Sequence, residues 1–261
     1  MNQRKRLDYI DSIRGLAAIG IACVYHLNTV PFPYKNGSSL NDVKVMQWLY
    51  SNGYLMVELF FILSGFISFY CYQNAICVKK ISLGTFIKRR VVRIFPVMWI
   101  SLIIASVLSV VYFMHNGSFL LGGGGKIDNS ILTLLFGFLG IQNLFAIGQT
   151  WNFPAWTITQ FFECWILFYL INKSSGNNAE RKVIGYIVMI ILELHLLLTG
   201  GYGIPFLKYD SGRGYVVFFV GGLLYFAIDC IERNHTEKKA FLLRLRDTLW
   251  VKSPPAVTTK H

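Results

Sequence analysis

The chain predicts an all-α, polytopic transmembrane helical bundle of six or seven spans, and three observations carry that expectation. Apolar residues fill 54% of the 261 positions and charged residues only 15%, too little charge to coat a water-facing globule. The apolar residues gather in runs near the length that crosses a hydrocarbon core of about 30 Å as helix. The Lys and Arg behind the formal charge of +12 crowd beside those runs, where basic residues set membrane orientation. Their placement also excludes nucleic acid as a partner. No Lys or Arg occurs between Lys126 and Lys173, whereas a nucleic-acid binder concentrates its positive charge on one face. The partner that the composition implies is the lipid bilayer.

The runs lie near 13–30, 53–72, 94–114, 131–147, 154–171, 183–198 and 215–231. The first follows Arg4, Lys5 and Arg6, is interrupted by Arg14 and His26, and lacks a small-residue cleavage site, so it reads as a retained span and not a signal peptide. The stretch PFPYKNGSSLND after it has the Pro, Asn, Gly and Ser of a loop. HNGSFLLGGGGKIDNS, after the third run, reads the same way, because four consecutive glycines cost too much backbone entropy for a regular element. Both stretches carry few basic residues and are expected outside. The segment 79–93 carries Lys79, Lys80, Lys88, Arg89, Arg90 and Arg93 and is expected in the cytoplasm, with the N-terminus beside it.

Seven full crossings would leave the basic residues of 233–260 outside, against the same rule. If 131–147, with Gly137, Gly140, Gln142 and Asn143, enters and returns without crossing, every later loop falls on the side its charges prefer. Backbone of that type is tolerated at depth where protein or a wet cavity surrounds it. The expectation is therefore six spans plus a re-entrant piece, with residues 1–231 as one membrane domain and 232–261 as a basic polar tail. That tail reads as a solvated terminus, or over FLLRLRDTLW as a short amphipathic helix on an anionic surface. The five cysteines have no paired CxxC spacing and read as small buried hydrophobes, neither a metal site nor a disulfide frame. No phosphate-binding loop, dinucleotide glycine pattern or zinc-helix motif is present.

Ionisable residues inside spans cost about 2.5 to 3.5 kcal/mol each on insertion scales, so each asks for a partner or a purpose. On the first span Asp11 precedes Arg14 by three positions, and the two can pair on one helical face. His26 lies about 18 Å further along. Its neutral imidazole is a candidate general base for a hydroxyl, or an interfacial side chain bonded to a carbonyl. On the second span, in YLMVELFFILSGF, Glu58 is a carboxylate able to orient His26 or Arg14, and Ser64 and Gly65 permit close helix approach. In FIKRRVVRIFP, Arg90 and Arg93 are three apart and would share a face if the segment is helical, beside Lys88 and Arg89. Guanidinium forks at that spacing bind phosphate, while the alternative is a cluster that merely fixes orientation. In NFPAWTITQFFECW, Asn152, Trp156 and Glu163 group at the start of the fifth run, either as a pocket or as an aromatic belt residue with a buried, paired glutamate. Glu193 and His195, two apart, point to different sides of a helix.

In this order the groups resemble the type-3 membrane acyltransferases, the bacterial family that includes O-antigen and nodulation-factor O-acetylases. YIDSIRGLAAIGIACVYH resembles the opening signature, VELFFILSGF the second and FIKRRVVRIFP the third, with NFPAWTIT a looser fourth. The resemblance implies a multi-pass protein of the bacterial inner membrane that transfers an acyl group to a sugar hydroxyl on a cell-surface glycan or lipid-linked saccharide. The acyl group is usually acetyl, with acetyl-coenzyme A as donor substrate and no bound cofactor. It implies His26 as the catalytic histidine, Arg14 as its basic partner, and Arg90 and Arg93 near the coenzyme A phosphates, with Arg89 and Lys88 beside them. Ser64, Asn152, Trp156 and Glu163 are the expected substrate pocket.

Two departures accompany this. One more residue separates Arg14 from His26 than in the family, which rotates them apart by about 100° unless a π-bulge near Gly20 absorbs it. Phe161 stands where the family commonly has a glutamate, and Glu163 follows two positions later. A second reading is kept: a short, inactive remnant, or a non-enzymatic protein that moves a glycan or acyl carrier.

Overall fold

The computed structural model describes residues 8–21, 48, 52–119, 129–145, 150–199 and 209–250. Among these the chain is all-helical, without strands. The helices are α1 (Asp8–Gly20), α2 (Tyr54–Cys77), α3 (Leu83–Asn116), α4 (Ile131–Leu139), α5 (Gln142–Phe145), a 3-10 turn (Phe153–Ala155), α6 (Trp156–Ser175), α7 (Ala179–Thr199) and α8 (Tyr209–Trp250). By length and composition α2, α3, α7 and the stretch Arg213–Asn234 of α8 can cross a membrane. Their polarity is that of a lipid-facing bundle. Along α3, Val97, Ile100, Ile103, Ile104, Val107, Leu108 and Val111 are each more than half exposed, a continuous apolar surface no water-soluble monomer would carry. Gln160, Asn172 and Glu193, by contrast, are buried at 2% exposure or less.

The third helix begins earlier than its apolar run. The Ser82 hydroxyl accepts from the Thr85 N–H at 3.2 Å and caps the first turn, so the whole basic cluster is helical and rides on the opening turns of α3. The fourth run breaks in two. Ser130 caps α4, which rises only about 14 Å over its nine residues, under half a hydrocarbon core. It stops at Gly140, whose φ of +71° is left-handed and whose added Cβ would lie 3.2 Å from the Phe95 ring. Glycine meets both conditions without strain. Trp99 of α3 holds this piece in place, stacking on Phe138 at 4.9 Å and donating its indole N–H to the Phe138 carbonyl at 2.9 Å.

Contacts fix the helix directions. Glu58 meets Arg213 and Phe69 packs under Gly222, while Phe61 stacks on Phe161 and Cys77 donates to the Asn172 carbonyl. Helices α2, α6 and α8 therefore run parallel. Phe86 meets Tyr169 and Phe95 meets Phe162, so α3 runs against α6. The chain between them thus leaves and returns at the same end of the bundle, which is a re-entrant path. At the centre of the packing, a Cβ on Gly65 would sit 2.0 Å from the Phe218 carbonyl oxygen and one on Gly221 would sit 2.1 Å from that of Ile62. The backbones of α2 and α8 thus touch directly, as small residues allow in membranes. Aromatic rings fill the remaining space, with Phe69 edge-on to Phe168 and Tyr186. Helix α8 continues through residues 231 and 232 to Trp250, so the expected boundary of the tail marks a change in polarity inside one helix.

Candidate active site

The Arg90 and Arg93 side chains start from one face of α3 and end in different environments. Arg90 is enclosed by the rings of Trp165, Phe86 and Tyr72 at 4.3, 4.9 and 5.1 Å from its guanidinium carbon. These are distances at which a cation is attracted to an aromatic face. Its Nη2 donates to Ser68 Oγ at 2.9 Å, and the Ser68 hydroxyl donates to the Ser64 carbonyl at 2.6 Å. Arg93 is exposed and lines a cleft of about 440 Å³ with Ile94, Val97, Met98, Ser101, Asn152 and Ile158. Lys88 and Arg89 are exposed on the same turns. Arg14 of α1 lies close enough for its charge, like that of Arg93, to act on Arg90.

The cleft follows α3 for about 12 Å from Arg93 to Ser101. One end holds a guanidinium, the walls are aliphatic, and the other end is polar. There Asn152 Nδ2 donates to Ser101 Oγ at 3.0 Å, and Gln142 Nε2 donates to the Asn152 carbonyl at 2.9 Å. The re-entrant piece thereby fixes the loop that carries Asn152. A cation, an apolar channel and convergent amide and hydroxyl groups suit an elongated ligand with one anionic end.

A second polar layer joins the far ends of α2, α6 and α8. Arg213 Nη2 and Nε reach Glu58 Oε1 at 2.6 and 3.0 Å, and the same guanidinium lies 5.0 Å above the Tyr54 ring. Tyr215 donates its hydroxyl to Glu163. Gln160 is fully buried between them, with neither amide atom bonded. The carboxylate expected to orient His26 or Arg14 is thus held by Arg213, a residue the sequence reading passes over. Its signal was an arginine at the outer edge of the last apolar run, where the orientation rule disfavours one. Glu58 and Arg213 are 23% and 28% exposed, so Arg213→Ala strands a largely desolvated carboxylate. The expected loss is about 1 to 3 kcal/mol, partly restored by adding Glu58→Gln, in thermal unfolding of the detergent-solubilised protein.

The remaining expected residues divide as follows. His26 lies outside the described residues, as does the Asp11 side chain. Ser64 contributes a carbonyl to the Ser68 bond. Trp156 opens α6 but does not line the cleft. Glu163 is half-buried and accepts from Tyr215, so it has the partner but not the full burial of its packing reading. Glu193 is buried and His195 exposed, on different sides as their spacing demands. Ser68, Ser101, Trp165 and Tyr215 were not singled out, since small and aromatic residues in apolar runs read first as packing.

A helical bundle with an aliphatic exterior and an aromatic core that also buries polar side chains is that of a multi-pass membrane protein. The acyltransferase domain model of the acyltransferase 3 family matches residues 7–244, and the chain belongs to that family, whose general activity is membrane acyl transfer. Comparisons with curated proteins and with solved structures give no match.

Proposed function

We propose that the protein transfers an acyl group, acetyl foremost, from acyl-coenzyme A to a hydroxyl of a cell-surface glycan or lipid-linked sugar. The observation that supports this reading is the cleft, lined at one end by Arg93, expected near the donor phosphates, and at the other by Asn152, expected in the substrate pocket. The donor is held through a phosphate at Arg93, and its thioester arm lies along Ile94, Val97 and Met98. His26 removes the proton of the acceptor hydroxyl, while Asp11 orients Arg14 one helical turn away, about 18 Å from the imidazole along the same helix. The hydroxyl oxygen bonds to the thioester carbonyl carbon, the carbon–sulfur bond breaks, and the proton passes from His26 to the departing thiolate. No bound cofactor is needed, because the donor carries the activated acyl group.

The reading places the protein in a bacterial inner membrane with its N-terminus and the 79–93 segment in the cytoplasm, as their basic residues favour. Six crossings are part of the same proposal, and the antiparallel course of α3 and α6 supports them. Membranes containing the protein are expected to move label from acetyl-coenzyme A onto surface glycan. Equal labelling in membranes lacking it would dismiss the reading.

A further inference from the structure

The structure separates two guanidinium groups that the sequence presents as one pair. We propose that Arg93 alone binds the anionic end of the acyl donor, and that Arg90 is a positioning residue that sets Arg93 in the cleft without touching the donor. The proposal rests on the acyl-coenzyme A reading and refines it.

The surroundings of Arg90 are a socket and not a binding surface. Three rings from three helices close around it: Tyr72 of α2, Phe86 of α3 and Trp165 of α6. Its Nη2 hydrogen bond goes across to α2 at Ser68, which passes the connection to the Ser64 carbonyl. Next to Ser64 is Gly65, where α2 meets the α8 backbone. Arg90 is half-buried among these rings, so a phosphate approaching its guanidinium would meet aromatic faces and leave part of its hydration behind. Arg90 therefore ties α3 to α2 and α6 at the level from which the Arg93 side chain departs. Arg93, one turn further, is exposed and opens on the cleft. A planar guanidinium fills the stacked socket in a way an ammonium does not, so lysine is not equivalent at Arg90.

The test reads binding of labelled acetyl-coenzyme A to the intact detergent-solubilised protein, alongside transfer. Loss of a charge-assisted contact in Arg93→Ala is expected to weaken donor binding about tenfold or more. Arg90→Lys is expected to weaken it several-fold in the parent protein and to add nothing once Arg93 is alanine, because a residue acting through another is non-additive with it. Ser68→Ala, milder should the lysine variant fold poorly, follows the same pattern. Multiplying losses in the double variant would make Arg90 an independent ligand and overturn the proposal, as would full affinity in Arg93→Ala. Binding without any transfer would instead strike the acyltransfer reading and leave the division between the two arginines standing.

Discussion

Alanine at His26 is expected to abolish acyl transfer while leaving the bundle folded. General-base assistance is worth about 10²- to 10⁴-fold, and no other side chain of the first signature takes a proton at neutral pH: Arg14 is permanently charged and Asp11 is a weak base. Donor binding, which the proposal assigns to Arg93 in α3, is expected to survive the change, so the loss falls on turnover. The check is a single-turnover transfer assay beside a donor-binding measurement on the same preparation. Retained transfer would remove the histidine from the mechanism, and loss of binding together with transfer would make it a structural residue.

The largest expected effect on folding comes from Gly65. A single methyl there would lie 2.0 Å from the Phe218 carbonyl oxygen. The atom it meets is backbone, so no rotamer change relieves the clash. Gly65→Ala is expected to destabilise by at least the 1 to 3 kcal/mol typical of overpacking, about the same as Gly221→Ala on the facing helix. Gly84→Ala is the control: nothing lies within 4 Å of its added Cβ, and a helical alanine is favoured over glycine by up to about 1 kcal/mol. Detergent thermal unfolding of the three variants should show the first two falling and the third unchanged or raised. A drop of Gly84→Ala equal to that of Gly65→Ala would mean that helix contact is not the cause.

Helical class and lipid exposure follow from composition and run length, because a bilayer imposes both on any chain that crosses it. The break in the fourth run was legible in Gly137, Gly140, Gln142 and Asn143, as glycine and amide side chains are poor lipid-facing material. The start of α3 was not, because the basic residues 88–93 end the apolar run while the Ser82 cap lets the helix begin before them. The pairing of Glu58 was out of reach for a related reason: its partner is 155 positions away, and helical periodicity carries no information about which helices become neighbours. Periodicity also gave Arg90 and Arg93 a common face, correctly, but not their separate fates, which depend on Trp165 and Ser68 arriving from two other helices.

The central claim is that an acyl group held on the cytoplasmic side by Arg93 reaches a hydroxyl on the other side through this bundle. Sealed right-side-out membrane vesicles, loaded internally with labelled acetyl-coenzyme A, address it most directly. The account predicts label on outward-facing glycan with the parent protein and little with Arg93→Ala. Label that appears only when the donor is supplied outside, or that is undiminished by the Arg93 change, would contradict it.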